Sequence, residues 1–284
     1  MKFGITFFAT DLSLPPVEMG RAVENLGFES LWLVEHSHIP VSRSSPWGGM
    51  RNASALPEEY WRTHDTFVSF GAIAAVTSRI MLGTGITLLA QRDAVWTAKE
   101  VATLDVISGG RVLFGVGYGW NREEMASHGT DYSTRRDLLR EKIMVMKSLW
   151  TDEVASYEGE LISLKPSWAW PKPIQKPHPP IILGAGAGPK TIAHIAEFCD
   201  GWIPVDLHDL DGKVEEVREA VAATGRDAAE FEISFSGAKP TTEFIDHLAG
   251  LGVGRTLFTI ESGPPEEVME QLGHLAEVAA SYGT

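Results

Sequence analysis

The feature that most narrows what this chain can fold into is a strict alternation of short apolar runs with longer helical stretches, repeated eight times along 284 residues. Residues 3–8 read as a buried strand. A helix over 15–26 follows, with Pro15 and Pro16 at its start and Gly27 just past its end, where a fixed φ and a left-handed stop are each suited. A second strand at 30–34 leads, after a long stretch, to Asp65, an N-cap for a helix over 66–76. Strands at 81–87 and 111–116 are followed by helices over 94–106 and 135–150. In the last of these Leu138, Leu139, Ile143, Met146 and Leu149 recur near helical spacing. Residues 156–164 alternate around Glu158-Gly159-Glu160, a hairpin pattern. Residues 165–180 are proline-rich and aperiodic and read as a crossing segment. Strands at 180–183, 202–205, 233–235 and 256–260, with helices over 190–198, 213–223, 242–251 and 266–282, complete the series.

Strict alternation of this kind implies a parallel sheet, and eight strand–helix pairs are the number that closes a barrel. The expected fold is α/β, a (β/α)8 TIM barrel. It takes residues 1–284 as one domain, with insertions at about 36–64, 118–135 and 152–180. An open doubly wound sheet competes, but no Gly-x-Gly-x-x-Gly follows the first strand, where such a fold puts its phosphate turn. Segments 36–64 and 118–135 follow strands two and four. That places them at the C-terminal face of a barrel, where long loops serve as binding elements or lids.

Composition restricts the partners. With 24 Lys and Arg against 38 Asp and Glu, the net charge is −14, which lacks the basic footprint of a nucleic-acid binder and disfavours an anionic membrane. The charge reads as a solubility feature. One cysteine, Cys199, permits no intramolecular disulfide and suits a reducing, cytoplasmic compartment; it reads as a buried structural thiol. Residues 1–8 enter a strand at once without a secretory pattern, and no apolar run reaches the ~18 residues of a membrane span. The expected partner is a small organic molecule, not nucleic acid or a membrane.

Chemistry-bearing residues cluster at strand ends. Glu35 and His36 end strand two, where a carboxylate and an imidazole can bind a ligand or move protons. His36 and His38 at i, i+2 also admit a metal, but no second cluster of ligand spacing accompanies them, so no metal site is expected. Gly83-Thr84-Gly85-Ile86-Thr87 ends strand three; glycine there marks a bulge, close approach to a ligand, or tight packing in the barrel. Gly115, Gly117 and Gly119 around Val116 and Tyr118, then Trp120 and Asn121, end strand four and would let a flat ring lie against backbone. Gly184-Ala185-Gly186-Ala187-Gly188 joins strand five to a helix beginning near Lys190, which is either an anion site at a helix N-terminus or an ordinary tight turn.

Taken together, the residues 31–36, 82–87, 105–121, 157–159, 171–173 and 179–184 resemble motifs of the luciferase-like monooxygenase family, in its coenzyme F420-dependent branch. The resemblance implies a barrel that binds F420, or alternatively FMN, at its C-terminal face. It places Glu35 and His36 beside the deazaflavin ring; the family commonly has Asp at the first of these. It implies a non-prolyl cis peptide at Gly85-Ile86, with Thr87 following, at the back of the ring. Gly117, Tyr118, Gly119 and Asn121 would line the ring and its side chain, and Gly184, Ala185, Gly186, Ala187 and Gly188 would take the phosphate. The implied activity is hydride transfer between F420 and an organic substrate, with His36 relaying a proton and Glu35 orienting it. An FMN monooxygenase supplied by a separate cofactor reductase and a non-catalytic cofactor binder are the alternatives.

Trp47, Tyr60, Trp61, Trp120, Trp168 and Trp170 are expected in catalytic-face loops, facing an apolar or planar substrate. Arg43, Arg51 and Arg62 are candidates for an acidic cofactor tail, or solvated surface. Helices over 65–76 and 94–106 are apolar enough to pair in a homodimer.

Overall fold

The computed structural model describes residues 1–49, 55–205 and 208–283. Arg51 therefore lies outside the described residues. The first half of the chain runs β1 (Lys2–Phe7), α1 (Pro16–Asn25), β2 (Ser30–Leu33), α2 (Thr66–Ala74), β3 (Met81–Thr84), α3 (Ala94–Ser108) and β4 (Val112–Gly117). A short α4 (Arg122–Ser127) and the long α5 (Arg135–Thr151) come next, then a hairpin of β5 (Ala155–Glu158) and β6 (Ser163–Ser167). The second half is β7 (Ile181–Ala185), α6 (Pro189–Phe198), β8 (Gly201–Pro204), α7 (Leu210–Ala222), β9 (Glu232–Ser236), α8 (Thr242–Gly250), β10 (Arg255–Ile260) and α9 (Pro265–Ala280). All strands except the hairpin pair in parallel and close into a barrel ordered β1-β2-β3-β4-β7-β8-β9-β10, which is the (β/α)8 architecture. Among the described residues, no helix is long and apolar enough to cross a membrane.

Local chemistry accounts for the element ends. The Asp65 carboxylate caps α2 by accepting from Val68 N at 2.8 Å, and Asp93 caps α3 through Trp96 N at 2.8 Å. Gly109 closes α3 in the left-handed region at φ 73°. Beyond shifts of a few residues at element ends, two features differ from the sequence reading. Strand β3 leaves the ladder at Thr84 rather than 87: Gly85–Ile86 is a cis peptide, and the chain rejoins β4 only through a bridge between Thr87 and Val116. Helix α4, inside the loop after β4, is too short to register as a hydrophobic period.

The core has two compartments. Between helices and sheet lies a continuous layer that includes Phe3, Phe70, Val101, Phe114, Ile143 and Phe235. Inside the barrel is a smaller cluster of Trp32, Leu113, Ile182, Ile203 and Leu257. Trp32 is completely buried, and its indole N–H reaches Ser30 Oγ at 2.9 Å, so its bulk is buried without an unpaired donor. A Cβ at Gly83 would sit 2.3 Å from that indole. Glycine in β3 is therefore the space the tryptophan occupies.

The crossing segment and its tryptophans do not lie at the catalytic face. The segment follows helix α5, not a strand, so it runs under the N-terminal end of the barrel. Gln175 there hydrogen-bonds Asp105 at the end of α3 and the carbonyl of Val112 at the start of β4. Trp168 and Trp170 are solvent-exposed, the Trp170 carbonyl accepts from Lys99 of α3, and neither lines the cleft that holds Glu35 and His36.

At the same N-terminal end the Arg255 guanidinium, 1% exposed, lies over the Trp32 ring at 5.6 Å. It donates to both Glu29 carboxylate oxygens at 2.9 and 2.8 Å, to Ser234 Oγ at 3.1 Å, and pairs with Glu232. Burial raises the Glu29 pKa, but the Arg255 hydrogen bond and charge outweigh it and hold the group below its ordinary value. Such a pair contributes stability above pH 4.5 that is lost as pH falls through the depressed native value. Arg255→Met should lower the urea-unfolding free energy at pH 7 by about 3 kcal/mol, because it strands partly buried carboxylates. The difference from the unsubstituted protein should shrink below pH 4.5; an equal difference at pH 3.5 and pH 7 would contradict this account.

Candidate active site

The C-terminal ends of β2, β3, β4 and β7 surround a cleft of about 420 Å³. Glu35 and His36 form one side, Gly85 and Ile86 the floor, and Tyr118, Gly119 and Trp120 another side. Gly184, Ala185 and Gly186 stand opposite. Tyr60, from the loop after β2, covers the site: its ring meets Phe8 at 4.8 Å, His36 at 5.2 Å, Trp47 at 5.8 Å and Trp120 at 6.3 Å. Trp61 is half exposed and turned away.

His36 is held by a residue that sequence reasoning missed. Its Nδ1 donates to Glu124 Oε2 at 2.8 Å, and Glu124 is completely buried. Glu124 stands in α4, whose N-cap is Asn121: the Asn121 Oδ1 accepts from Glu124 N at 3.3 Å. An Asn followed three residues later by Glu is the pattern of a capping box and was the available signal, although here the carboxylate turns to His36. Neighbouring Glu123 accepts from Ser44 N and Oγ at 2.9 and 2.7 Å and pins the loop after β2 to α4. Burial raises its pKa, but the Ser45 and Ser44 hydrogen bonds prevail and bring it to about 2.

Glu35 has a different commitment. Its Oε1 accepts from Leu88 N and its Oε2 from Arg92 Nε, both at 2.9 Å. The carboxylate thus ties the end of β2 to the loop after Ile86, and glutamate rather than aspartate supplies the reach. Arg92 also holds Glu100 and Asp65.

The expected cofactor residues divide into two groups. Glu35, His36, Gly85, Ile86, Tyr118, Gly119, Gly184, Ala185 and Gly186 line the cleft. Thr87, Gly117, Asn121, Ala187 and Gly188 do not. Thr87 is fully buried and exchanges backbone hydrogen bonds with β4. Asn121 is the α4 cap, its Nδ2 buried without a partner. Gly188 caps α6 and its N–H is spent on Gly186 O at 3.0 Å. Gly117 is a socket for a side chain: a Cβ there would lie 2.2 Å from Ile86 Cδ1, and one at Gly184 would lie 2.8 Å from Ile86 Cγ2. Two of the strand-end glycines thus seat the Ile86 side chain that forms the floor. Lys190 is exposed and pairs with Asp137 at 2.6 Å.

A cationic wall closes the other end. Arg135 and Arg136 line the cleft beside Tyr132 and Tyr118. Arg135 lies 3.5 Å and Arg122 4.2 Å from the Tyr132 ring centre, and Arg136 5.0 Å from that of Tyr118. Burial, with the charges of Arg136 and Arg122 adding, lowers the Arg135 pKa, and its Nε is buried without a hydrogen-bond partner. No described carboxylate pairs with any of the three. Arg135 and Arg136 open α5, where the helix dipole disfavours cations; that local misfit was the sequence signal. The sequence candidates fare otherwise: Arg62 is bound to Asp11 and Glu58, and Arg43 lies over Trp120 and donates to Ser45 O. Burial pushes the Tyr118 phenol up to about 12, and its hydroxyl meets His194 Nδ1 at 2.8 Å. Among the described residues, no three His, Cys, Asp or Glu are placed to hold a metal ion.

The family model for luciferase-like monooxygenases matches residues 15–240. The chain belongs to that family. An uncharacterized protein of Mycobacterium tuberculosis is 40% identical over 278 residues, covering 97% of this chain and 98% of that one. The F420-dependent hydroxymycolic acid dehydrogenase of the same species is 29% identical over 215 residues, 74% of this chain and 54% of that protein. The solved structure of monooxygenase RslO1 from Streptomyces bottropensis matches the fold with a TM-score of 0.80 at 19% identity, covering all of both chains. The family membership makes this barrel a luciferase-like oxidoreductase.

Gly117→Ala tests the socket. The added methyl must displace Ile86, so the variant should remain folded by far-UV circular dichroism, unfold at lower urea by about 1–3 kcal/mol, and lose binding of any ring that rests on that floor. Unaltered ligand binding in Gly117→Ala would refute the assignment of Ile86 to the floor.

Proposed function

We propose that the protein transfers hydride between coenzyme F420 and a small organic substrate, with His36 moving the substrate proton. The observation that carries this reading is the arginine wall: Arg135 and Arg136 line one end of the cleft, with Arg122 stacked on the neighbouring Tyr132 ring and no described carboxylate paired with any of them, in a protein of net charge −14. Three guanidiniums that repel one another fit an acidic, phosphate-bearing tail, which F420 has and which FMN has only as a single phosphate. The narrow backbone of Gly184–Gly186 and the Ile86 floor fit a flat ring in the rest of the cleft. When bound, the deazaflavin supplies two-electron hydride chemistry.

The chain's own residues supply position and proton control. Glu124 holds the His36 Nδ1 proton, which leaves Nε2 as the atom free to accept a proton. Tyr60 and Trp120 against His36 limit water at that atom and suit an apolar or planar substrate. Glu35 supports this arrangement indirectly, by bracing the loop behind Ile86. FMN with molecular oxygen remains the second reading, favoured by the likeness to a monooxygenase. The exposed Val68 and Trp96 of α2 and α3 support a homodimer through those helices; a monomer in sedimentation at micromolar concentration would remove that part.

Fluorescence-quenching titrations decide the cofactor. F420 should bind, and Arg135→Ala with Arg136→Ala should weaken it about tenfold or more, while a deazaflavin lacking the tail binds both forms alike. Micromolar FMN binding without F420 binding would overturn the proposal. With a substrate in hand, His36→Ala should reduce kcat by about 100-fold or more and leave F420 affinity nearly unchanged.

A further inference from the structure

His36 is a partition between two cavities. Its front lines the cleft. Its back, with Glu35, lines a second cavity of about 390 Å³ that includes Ser37, His64, Asp65, Arg92 and His128. Along this back side runs a continuous series of proton-exchanging groups. His36 Nδ1 meets Glu124 Oε2 at 2.8 Å; Glu124 Oε1 accepts from Ser37 N at 3.1 Å and Ser37 Oγ at 3.4 Å. The Ser37 hydroxyl lies 2.7 Å from His128 Nε2 and 2.9 Å from His38 Nδ1. The series begins at side chains 6% and 0% exposed and ends at two exposed imidazoles whose rings are 5.6 Å apart. Of the charged groups facing the same cavity, Glu35 and Asp65 are both bound to Arg92, so they do not interrupt it.

We propose that Glu124, Ser37 and the His128–His38 pair form a proton outlet for His36 behind the cofactor cleft. The inference rests on the reading of His36 as the group that receives the substrate proton. When a substrate hydroxyl becomes a carbonyl, the carbon-bound hydrogen leaves with its electron pair as hydride to the cofactor, and the hydroxyl proton remains to be removed. His36 Nε2 takes that proton. The Nδ1 proton passes to Glu124 Oε2, and rotation of the neutral carboxyl group turns that proton toward Ser37; it passes to the Ser37 oxygen as the Ser37 hydroxyl proton goes to His128 Nε2, and the exposed His128 ring releases a proton to water. Glu124 ends as a carboxylate; the Ser37 hydroxyl must rotate back toward His128, and the exposed His128 resets by exchange with water. His36 itself returns with its proton on Nε2, and a ring flip or one exchange with water resets it. The front route is obstructed, since Tyr60 and Trp120 pack on His36 and a substrate would occupy the remaining space. A back outlet lets the proton leave while the cleft is closed. Glu124 and Ser37 act here as positioning and relay residues, because neither lines the cleft.

The experiment needs no substrate. In the full chain with ring-¹⁵N-labelled histidine, and with His36 signals assigned by their loss in His36→Gln, the ring nitrogen shifts report the tautomer and the Nδ1 proton reports exchange with water. A single Nδ1–H tautomer is expected. Ser37→Ala, and separately His38→Ala with His128→Ala, should keep that tautomer and the far-UV spectrum but slow the exchange about tenfold or more. Added imidazole should restore it in the double variant. Glu124→Gln should lose the single tautomer. Unchanged exchange in both surface variants, or slow exchange that imidazole does not restore, would show these contacts only dock the loop and would overturn the outlet. The substituted Ser37, His38 and His128 are exposed, so these variants carry the test even if Glu124→Gln fails to fold. Cofactor titration is a separate measurement: loss of F420 binding would fail the functional reading and leave this exchange readable, and the reverse holds equally.

Discussion

An eight-stranded parallel barrel encloses a space that side chains alone must fill, and here the Trp32 indole takes the largest part of it. That choice propagates. Gly83 has no Cβ because the indole stands there, and Gly115 has none because a Cβ would fall 1.9 Å from Thr84 O. With β3 and β4 drawn together, Thr84 Oγ1 donates to Gly115 O at 2.6 Å, and the chain after Thr84 leaves the ladder. Ile86 then enters the gap left by Gly117 and Gly184 and becomes the floor of the cleft. At the other end Arg255 covers the same indole and binds Glu29. Core packing and site geometry are thus one connected arrangement, and a methyl group added at Gly117 is a change to both.

The loop beyond Ile86 is braced from behind. Glu35 holds Leu88 N, and the Lys142 ammonium of α5 donates to the carbonyls of Leu89 and Ala90 at 3.1 and 2.9 Å. Burial pulls the Lys142 pKa down to about 8, a cost that the hydrogen bonds to those carbonyls offset. The acidic residues near the cleft are all engaged in this kind of work: Glu35 with Arg92, Glu124 with His36, Glu123 with Ser44 and Ser45. The guanidiniums of Arg135 and Arg136 are not so engaged. They face the cleft without a described carboxylate partner, in a chain whose overall charge is strongly negative, and this is the observation on which the proposed cofactor rests.

Much of this was legible before folding. The caps at Asp65 and Asp93, the stop at Gly109, and the period of α5 are local properties, readable from a few neighbouring residues. The strand-end clusters Glu35-His36, Gly85-Ile86 and Gly184–Gly186 were also visible, because the C-terminal ends of parallel strands converge on one face. Less legible was what each residue does there. Gly117 read as room for a ring and is room for Ile86; Asn121 read as a ring contact and is a helix cap; Trp168 and Trp170 read as substrate-facing and are exposed outside the cleft.

The sequence by itself determined the alternation of strands and helices, their number, the luciferase-like family pattern, and which strand ends carry polar chemistry. Those depend on periodicity and turn preference, which act over a few residues. Only the tertiary structure decided that His36 is held by Glu124, 88 positions away, that Glu35 is held by Arg92, and that Arg135 and Arg136 share one wall of the cleft with Arg122 stacked beside them on Tyr132. Contacts of that kind follow from how the barrel closes and where its loops fold back, and no local pattern encodes the distance between two loops.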